Sequence, residues 1–287
     1  YDGGSHTFDV DQTVTDFLIE FSAANRLLRR QQHEQALAAF VALSNYETAT
    51  TYQKSLALAE AANCANRMKN AEQAAGFADS IPLESIARTV QMQNLLAERK
   101  WSAMIEQFGN EDFLSWPFTQ IGSAAFARGQ AHYSLKSGAR ADADFRLALE
   151  FTSDTRMRMS ILRAMGQNRE FVLKDDVLAM ETYRRIVDSN TNTGSAEYFT
   201  GLQGAARLLT RNGDFEDAFE VLDLVDIENL AGSWRGAMRL SYSQTLEAAG
   251  RKSESLQLYR KVMTDEKATQ THRQRAKEAI AALKGGD

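Results

Sequence analysis

The sequence contains few of the residues that break helices or build sheets. Only two of its 287 residues are proline, Pro82 and Pro117. Valine and isoleucine are sparse and rarely alternate with polar residues, so no substantial β-sheet is expected. Good helix formers, namely alanine, leucine, arginine, glutamine and glutamate, are abundant instead. This composition predicts an all-α protein.

Long apolar runs and strong charge are also missing. The longest apolar run, Ala36 to Leu43, has eight residues, whereas a membrane-spanning helix needs about 20. The net charge of −5 is mild and is not that of a polybasic nucleic-acid binder. We therefore expect the chain as given to be soluble, with no membrane span and no nucleic-acid partner.

A single cysteine, Cys64, excludes an internal disulfide and gives no indication of the compartment. Its alanine-rich surroundings predict a small packing residue rather than a reactive thiol. The chain starts at Tyr1 rather than at methionine, which suggests that it was cut from something longer. A signal peptide, a membrane anchor and a preceding domain are the alternatives for the missing part.

The segment from Gly201 to Val225 has the pattern of a helical hairpin. Small residues lie between larger apolar residues at helical spacing, and the pattern is interrupted once, at Asn212-Gly213-Asp214. The segment predicts a first helix that ends near Arg211, a tight turn at Gly213, and a second helix.

Copies of this hairpin recur along the chain. Near the start of each second helix, a small or apolar residue is followed four residues later by another apolar residue, usually a larger one. Seven such pairs are found, spaced 30 to 39 residues apart: Ala36 with Phe40, Ala74 with Ala78, Met104 with Phe108, Ala141 with Phe145, Ala179 with Tyr183, Ala218 with Leu222, and Ser255 with Tyr259. A period of this size indicates stacked helical pairs, because one pair cannot bury its apolar face alone.

The segment from Phe126 to Leu149 resembles the tetratricopeptide repeat (TPR). The resemblance rests on the small positions of the two helices and the two residues that complete the motif: Gly129, Ala141, Phe145 and Ala148. It covers roughly residues 13–262, although the period exceeds the usual 34 residues and residues 63–112 match poorly. It implies an all-α fold, a right-handed α-α superhelix (solenoid) of about seven TPR-like hairpins, with the first helices lining a concave face.

The small residues Gly129, Ala206 and Ala218 are expected to let neighbouring helices approach closely. A bulky replacement there should cost ~1 to 3 kcal/mol through overpacking.

We divide the chain into a flexible lead-in at residues 1–12, a repeat array at 13–270, and a capping helix with a tail at 271–287. The array should begin at Thr13, because Thr13 and Asp16 have the spacing of an N-terminal cap. In the last part an apolar stripe would cover the final hairpin while charged residues face water, and Gly285 would end the helix. The stripe consists of Ala276, Ile280 and Leu283.

No catalytic or metal-binding pattern is found. The four histidines, His6, His33, His132 and His272, lie far apart, without the spacing of metal ligands. Phe8 to Thr13 resembles the D-x-D-x-T signature of haloacid-dehalogenase-type phosphatases, with Asp9 as nucleophile, but the buried strand that this chemistry needs is missing before it. The tryptophans are spread too widely for an α/α-toroid carbohydrate enzyme. We predict no enzyme activity, no metal and no cofactor.

One position on the first helices carries mostly amides. Aligned on the small residues, the copies place there Asn25, Asn63, Gln93, Gln130, Asn168, Arg207 and Gln244, which we call the amide ladder. An amide offers a donor and an acceptor together, so a ladder of amides can pair with a peptide backbone. The alternative is that these are ordinary polar residues, which the surface of any helical repeat protein needs.

Arginines and a tyrosine follow several ladder positions by about one turn. They are Arg29, Arg67 and Arg211, with Tyr133 in the equivalent region. An amide followed by an arginine is able to hold a carboxylate or an acidic segment. This arrangement is loosely similar to the clamp by which some TPR domains bind a C-terminal carboxylate, but the lysines of that clamp are not clearly reproduced here.

These features predict a non-catalytic scaffold that binds an extended peptide or a partner protein, with an acidic partner as one option, in its concave groove. The alternative is an accessory or assembly domain of a longer polypeptide that acts by oligomerisation. We expect Asn63, Arg67, Arg207 and Arg211 to be exposed in one groove. We also expect charge reversal at Arg67 and Arg207 to abolish binding with a nearly unchanged melting temperature.

Overall fold

The computed structural model describes residues 12–189, 193–230 and 233–285. All the regular secondary structure in these ranges is helical, which confirms the all-α prediction. The helices form two compact units, residues 1–152 and 153–287. The repeat period gave no indication of this division.

The first unit contains four helical hairpins. Its helices are α1 (Gln12–Arg29), α2 (His33–Ser44), α3 (Thr51–Arg67), α4 (Ala71–Asp79), α5 (Glu84–Ala97), α6 (Trp101–Phe108), α7 (Phe118–Ser134) and α8 (Gly138–Glu150). A short 3-10 turn, Phe113–Ser115, lies between α6 and α7. The α1 helix begins one residue before the predicted Thr13; the side chain of Thr13 and the lead-in up to residue 11 lie outside the described residues.

The second unit contains three hairpins and a final helix. Its helices are α9 (Thr155–Asn168), α10 (Asp176–Ser189), α11 (Ala196–Asn212), α12 (Phe215–Leu222), α13 (Ser233–Ala248), α14 (Lys252–Thr264) and α15 (Gln270–Gly285). A π-helical turn, Arg169–Leu173, extends α9, and a 3-10 turn, Ile227–Asn229, precedes α13.

Within each unit the hairpins stack in sequence order. The odd-numbered helices up to α13 are the first helices of their hairpins, and the even-numbered helices are the second. Each first helix packs against its own second helix, and in the stacks α3–α5–α7 and α9–α11–α13 it also packs against the next first helix. This arrangement leaves part of each first helix on one surface and part of each second helix on another.

The predicted apolar pairs lie on the second helices and form their buried face. All seven small or apolar residues, from Ala36 to Ser255, are fully buried, and their partners four residues later are at most 4% exposed. The region from α4 to α6, where the resemblance to the TPR motif is poorest, follows the same rule. The repeat pattern therefore identified the core-facing side of every second helix.

Each of the seven hairpins turns at a residue in the left-handed conformation, five positions before the residue that opens the apolar pair. These residues are Gln31, Lys69, Arg99, Lys136, Lys174, Gly213 and Gly250. In six of the hairpins the next amide donates to the carbonyl five residues back, for example Asp214 to Leu209 at 3.0 Å. This hydrogen bond is that of the Schellman motif, and it gives the hairpins a common geometry. The predicted turn at Gly213 is confirmed.

The small residues bring helices together as expected. A methyl group on Gly129 of α7 would lie 2.7 Å from the ring of Phe145 on α8, too close for any real contact. Ala206 and Ala218 are also buried, at 1% and 0% exposure. Large aromatic side chains of the second helices therefore fill the space that small residues of the first helices leave.

The last helix caps the second unit. Ala276 of α15 is fully buried in a cluster with Tyr259 and Val262 of α14, and Ile280 and Leu283 pack against the same cluster. The helix spans Gln270–Gly285 and supplies the C-terminal capping helix of the predicted fold. Cys64 is fully buried in the first unit, and burial raises the pKa of its thiol to about 11, as expected for an inert packing residue.

Candidate functional site

The amide ladder occupies one sequence position on every first helix, six residues before the left-handed turn residue of each hairpin. Exposure differs between its members. Gln93, Arg207 and Gln244 are exposed, Asn25, Asn63 and Gln130 are half-buried, and Asn168 is fully buried. Six of the seven residues thus have surface to offer to a partner.

Asn168 is the exception because the π-helical turn Arg169–Leu173 follows it directly. A π turn contains one residue more than an α turn, and here the amide of Asp175 donates to the carbonyl of Arg169, six residues back instead of five. The inserted residue changes the face on which Asn168 lies. The prediction that Asn168 binds a peptide is therefore wrong, and the half-buried amide of Gln167 is the equivalent residue once the insertion is discounted.

On α3 the predicted pair of an amide and an arginine is formed. The Nε atom of Arg67 donates to Oδ1 of Asn63 at 3.2 Å, and Nδ2 of Asn63 donates to Glu60 at 3.0 Å. Arg67 is exposed, and its two terminal nitrogens donate to no described residue. This arginine keeps donors that a carboxylate of a partner is able to accept.

Arg207 on α11 has a different environment. Its Nε and Nη2 atoms donate to the two carboxylate oxygens of Glu170, at 2.7 and 2.6 Å, and the hydroxyl of Tyr183 donates to the same carboxylate at 2.8 Å. The side chain of Glu170 is completely buried. Burial and the Glu170 carboxylate both raise the pKa of Tyr183, so its hydroxyl stays protonated and donates. Burial alone would lower the pKa of Arg207, but its hydrogen bonds to Glu170 raise it overall.

These contacts change the expected effect of charge reversal at Arg207. A glutamate at this position would put a second carboxylate beside the buried Glu170, so we expect that variant to lose stability. Arg211 is also paired within the chain, because its Nη2 atom bonds the carboxylate of Asp176. Arg207 is therefore committed to Glu170 by two nitrogens, whereas Arg211 is held by one nitrogen in an exposed pair.

An aromatic ring adjoins Arg207 on the surface. The guanidinium lies over the ring of Phe171, 5.2 Å from its centroid, and Phe171 is 43% exposed. Arg207 also lines a small pocket of about 60 Å³ together with Gln203 of α11 and Gln244 of α13. We call the four residues Phe171, Gln203, Arg207 and Gln244 the first-helix strip.

Hydrogen bonds between α11 and α13 hold this strip in place. Nε2 of Gln203 donates to the carbonyl of Ala237 at 3.1 Å and to the hydroxyl of Ser241 at 3.0 Å. The hydroxyls of Thr210 and Thr245 lie 2.9 Å apart. Gln244 is exposed and its side chain bonds to no described residue, so its donor and its acceptor are both available to a partner.

The remaining predicted residues lie on α1 and α7. Arg29 is exposed, Asn25 donates to the carbonyl of Phe21 in its own helix, and Tyr133 is half-buried with Lys136 5.6 Å from its ring. Asn63 and Arg67 lie in the first unit and Arg207 and Arg211 in the second, so a groove shared by all four stays a prediction.

No protein-family model and no curated protein matches this chain. A tetratricopeptide repeat protein from Parabacteroides merdae ATCC 43184 is 11% identical in sequence, with a TM-score of 0.48 over 94% of this chain and 99% of that one. The TPR domain of P58(IPK) is 13% identical, with a TM-score of 0.24 over 93% of this chain and 90% of that one. The fold is TPR-like. The buried small and large positions of seven successive hairpins show this in the chain itself.

The TPR-like hairpins bring no metal-ligand cluster together among the residues that the structure describes. His132 is buried 3.9 Å from the carboxylate of Asp144, and burial lowers the pKa of the imidazole. His6 and Asp9 lie outside the described residues. Within the described ranges no helix is both long enough and apolar enough to cross a bilayer.

Glu170 and Phe171 were not identified from the sequence. A signal for Glu170 exists in the sequence alone. Counted four residues back from the left-handed turn residue, it aligns with Leu27, Ala65, Leu95, His132, Leu209 and Leu246, although the π turn makes Arg169 the structural equivalent. A carboxylate at a position that is otherwise mostly apolar indicates a buried charge that needs a partner. The signal for Phe171 is weaker, because the π turn that exposes it has no clear sequence pattern.

Proposed function

We propose that this chain is a non-catalytic interaction scaffold that binds an extended peptide, or an extended segment of a partner protein, on the exposed side of its first helices. The observation that carries the proposal is the first-helix strip. It combines an exposed aromatic ring, a guanidinium that lies over the ring, and an exposed amide, and hydrogen bonds join the two helices α11 and α13 that carry the guanidinium and the amide.

The chemistry of the strip fits an extended peptide. The exposed amide of Gln244 accepts one hydrogen bond and donates another, which is what a peptide backbone offers in alternation. The ring of Phe171 provides an apolar platform for one side chain of the peptide, and exposed aromatic residues are frequent anchors in interfaces. Since Glu170 neutralises Arg207, the strip itself has little preference for an acidic ligand. A preference for acidic segments is proposed only for Arg67 on α3.

A random peptide library displayed on phage tests this proposal. Sequences enriched on the wild-type protein are synthesised, and their affinity is measured by isothermal titration calorimetry. We expect Phe171→Ser combined with Gln244→Ala to weaken binding at least about tenfold, equivalent to roughly 1.4 kcal/mol.

The matched control is Leu224→Ser combined with Gln257→Ala. Leu224 is 57% exposed, more than Phe171 of the strip at 43%, and Gln257 is an exposed amide of a second helix in the same unit. We expect this variant to bind like the wild type. Equal loss in both variants, or a library that yields no binding sequence, would rule out the strip as the binding surface.

Assembly by oligomerisation is the second candidate function, and one observation favours it. Leu18 and Ile19 are neighbouring residues of α1 with 58% and 59% of their surface exposed. Apolar pairs of this kind at the end of a helical stack are able to pack against a second copy of the chain. Sedimentation velocity tests this candidate. If the chain assembles through α1, the wild type sediments as an oligomer and Leu18→Ser with Ile19→Ser sediments as a monomer.

A further inference from the structure

A groove lies on the second-helix side of the second unit, between α10 and α12. It has a volume of about 810 Å³ and follows α10 from Asp176 to Ser189, a length of about 20 Å. Its other wall is the end of α11 and the start of α12, from Asn212 to Asp217. We call it the second-helix groove. None of its lining residues belongs to the first-helix strip.

The floor of the second-helix groove is apolar. Leu208 and Leu209 of α11 and Met180 of α10 line it, and Val177 stands on its edge with 79% of its surface exposed. Leu208 and Leu209 are only 1% and 5% exposed, so Val177 and the half-buried Met180 provide the apolar area that a ligand is able to cover. Burying such area is the main source of affinity at helix-binding grooves.

The charges around this floor are unequal. Five carboxylates line the groove against two guanidiniums, those of Arg184 and Arg185. Both arginines belong to α10. The α12 wall contributes Asp214 and Asp217 to the lining and no basic residue. The acidic character extends further along the chain, since residues 214–228 contain seven carboxylates and no lysine or arginine.

Most of these carboxylates are not neutralised within the chain. Asp176 is paired with Arg211. Glu181, Asp188, Asp214 and Asp217 form no ion pair with any described residue. Their field is therefore available to a ligand of opposite charge, and it is strongest along the α12 wall.

We propose that the second-helix groove binds a basic amphipathic helix of a partner protein. Leucine-like residues on one face of that helix cover Val177 and Met180, and lysines or arginines along one edge face Asp214 and Asp217. A groove of this length holds a ligand helix of about 14 residues, the length of α10. Apolar residues at positions i, i+3, i+4 and i+7 are the pattern expected of such a ligand.

The probe is a synthetic helical peptide of leucine and lysine with the leucines on one face. Two further peptides accompany it, one with glutamate in place of lysine and one with the leucine and lysine order scrambled. Fluorescence anisotropy with the full chain measures affinity. We expect the leucine and lysine helix to bind, more weakly at higher salt, and the other two peptides to bind at least about tenfold less tightly.

Charge reversal locates the binding site. Asp214→Lys with Asp217→Lys should weaken binding by about tenfold or more, and Val177→Ser should weaken it several-fold. The control is Glu72→Lys with Glu106→Lys, which makes the same change in net charge on exposed residues of the second helices α4 and α6. We expect the control to bind the peptide like the wild type. We expect the same of the strip variant, Phe171→Ser with Gln244→Ala, because the strip lies outside the groove. Failure of the groove proposal therefore leaves the strip proposal intact, and the reverse also holds.

Three results overturn the assignment. The first is equal weakening in both charge-reversal variants, which would mean attraction by overall charge. The second is equally tight binding of the scrambled peptide, or no binding of the amphipathic one. The third is a wild-type dimer that Asp214→Lys with Asp217→Lys converts to a monomer, which would make the occupant a second copy of this chain.

Discussion

Arg207 of α11 forms a bidentate ion pair with Glu170, which belongs to the preceding hairpin and is completely buried. Arg207 belongs to the amide ladder, the set of first-helix residues expected to bind a peptide. Its guanidinium instead balances an internal carboxylate and supports the exposed ring of Phe171. The residue thus acts on the surface indirectly, by holding a neighbour.

Arg207→Gln should destabilise the protein because it leaves the carboxylate of Glu170 buried without a counter-ion. We expect the free energy of unfolding to fall by about 2 to 4 kcal/mol, somewhat less than for a fully buried pair, since the guanidinium is half exposed. Urea unfolding at neutral pH measures the change. Arg211→Gln is the control, because its ion pair with Asp176 is exposed and should contribute less than about 1 kcal/mol. Similar losses in the two variants would contradict the role of Glu170.

Lys69→Gly should stabilise the protein. Lys69 adopts a left-handed backbone conformation, with φ of 61°, which costs a residue with a β-carbon about 1 kcal/mol and glycine almost nothing. Gln257→Gly, at an exposed position inside α14, should lower the free energy of unfolding by about 1 kcal/mol. Urea unfolding should therefore give changes in the free energy of unfolding of opposite sign for the two variants. A loss of stability in Lys69→Gly would contradict the backbone strain at this position.

Gly129→Ala should destabilise the first unit by roughly 1 to 3 kcal/mol, since its methyl group would overlap the ring of Phe145. Gly76 provides a matched comparison. It also lies within a helix, α4, but a β-carbon there would meet no atom within 4 Å. We expect Gly76→Ala to raise the free energy of unfolding by about 0.5 to 1 kcal/mol. Thermal and urea unfolding both report these changes, and a stabilising alanine at position 129 would refute the close approach.

Protein stability should fall as the pH drops below about 6.5, partly because of His132. Burial lowers the pKa of this imidazole in the folded state, so the unfolded chain binds a proton first and gains stability at acidic pH. The contribution of His132 is complete above the unfolded pKa and is lost as the pH falls towards the folded one.

His132→Leu tests this directly, because leucine stands at the equivalent position in four other copies. We expect the variant to lose less stability than the wild type between neutral pH and about pH 5. Part of the dependence should remain, since burial also lowers the pKa of His272. Unfolding curves measured across this pH range give the change of unfolding free energy with pH for the wild type and for the variant. Equal changes in the two proteins would exclude His132 as a contributor.

The predictions that succeeded depend on local spacing. A small or apolar residue such as Ala141 and an apolar residue four positions later lie on one face of any α-helix, so their repetition identified the buried side of all seven second helices. The turn at Gly213 was predicted for a related reason, because glycine favours the conformation found there. Gln31 and Lys69 make the same turn without that signal.

The predictions that failed depend on register and on long-range partners. Asn168 was assigned by assuming uninterrupted α-helix up to the turn, and a single π turn displaced it into the core. Arg207 was treated as available because Glu170, its partner, lies 37 residues away on another hairpin. The second-helix groove was missed because it depends on the gap between α10 and α12.

The sequence by itself determined that this chain is helical and which side of each second helix is buried, because these properties depend on residues within a few positions of one another. Only the tertiary structure decided which polar side chains remain available to a partner. That availability depends on what packs against each residue from a neighbouring hairpin, and the pairing of Arg207 with Glu170 shows how one such contact turns a candidate binding residue into an internal counter-ion.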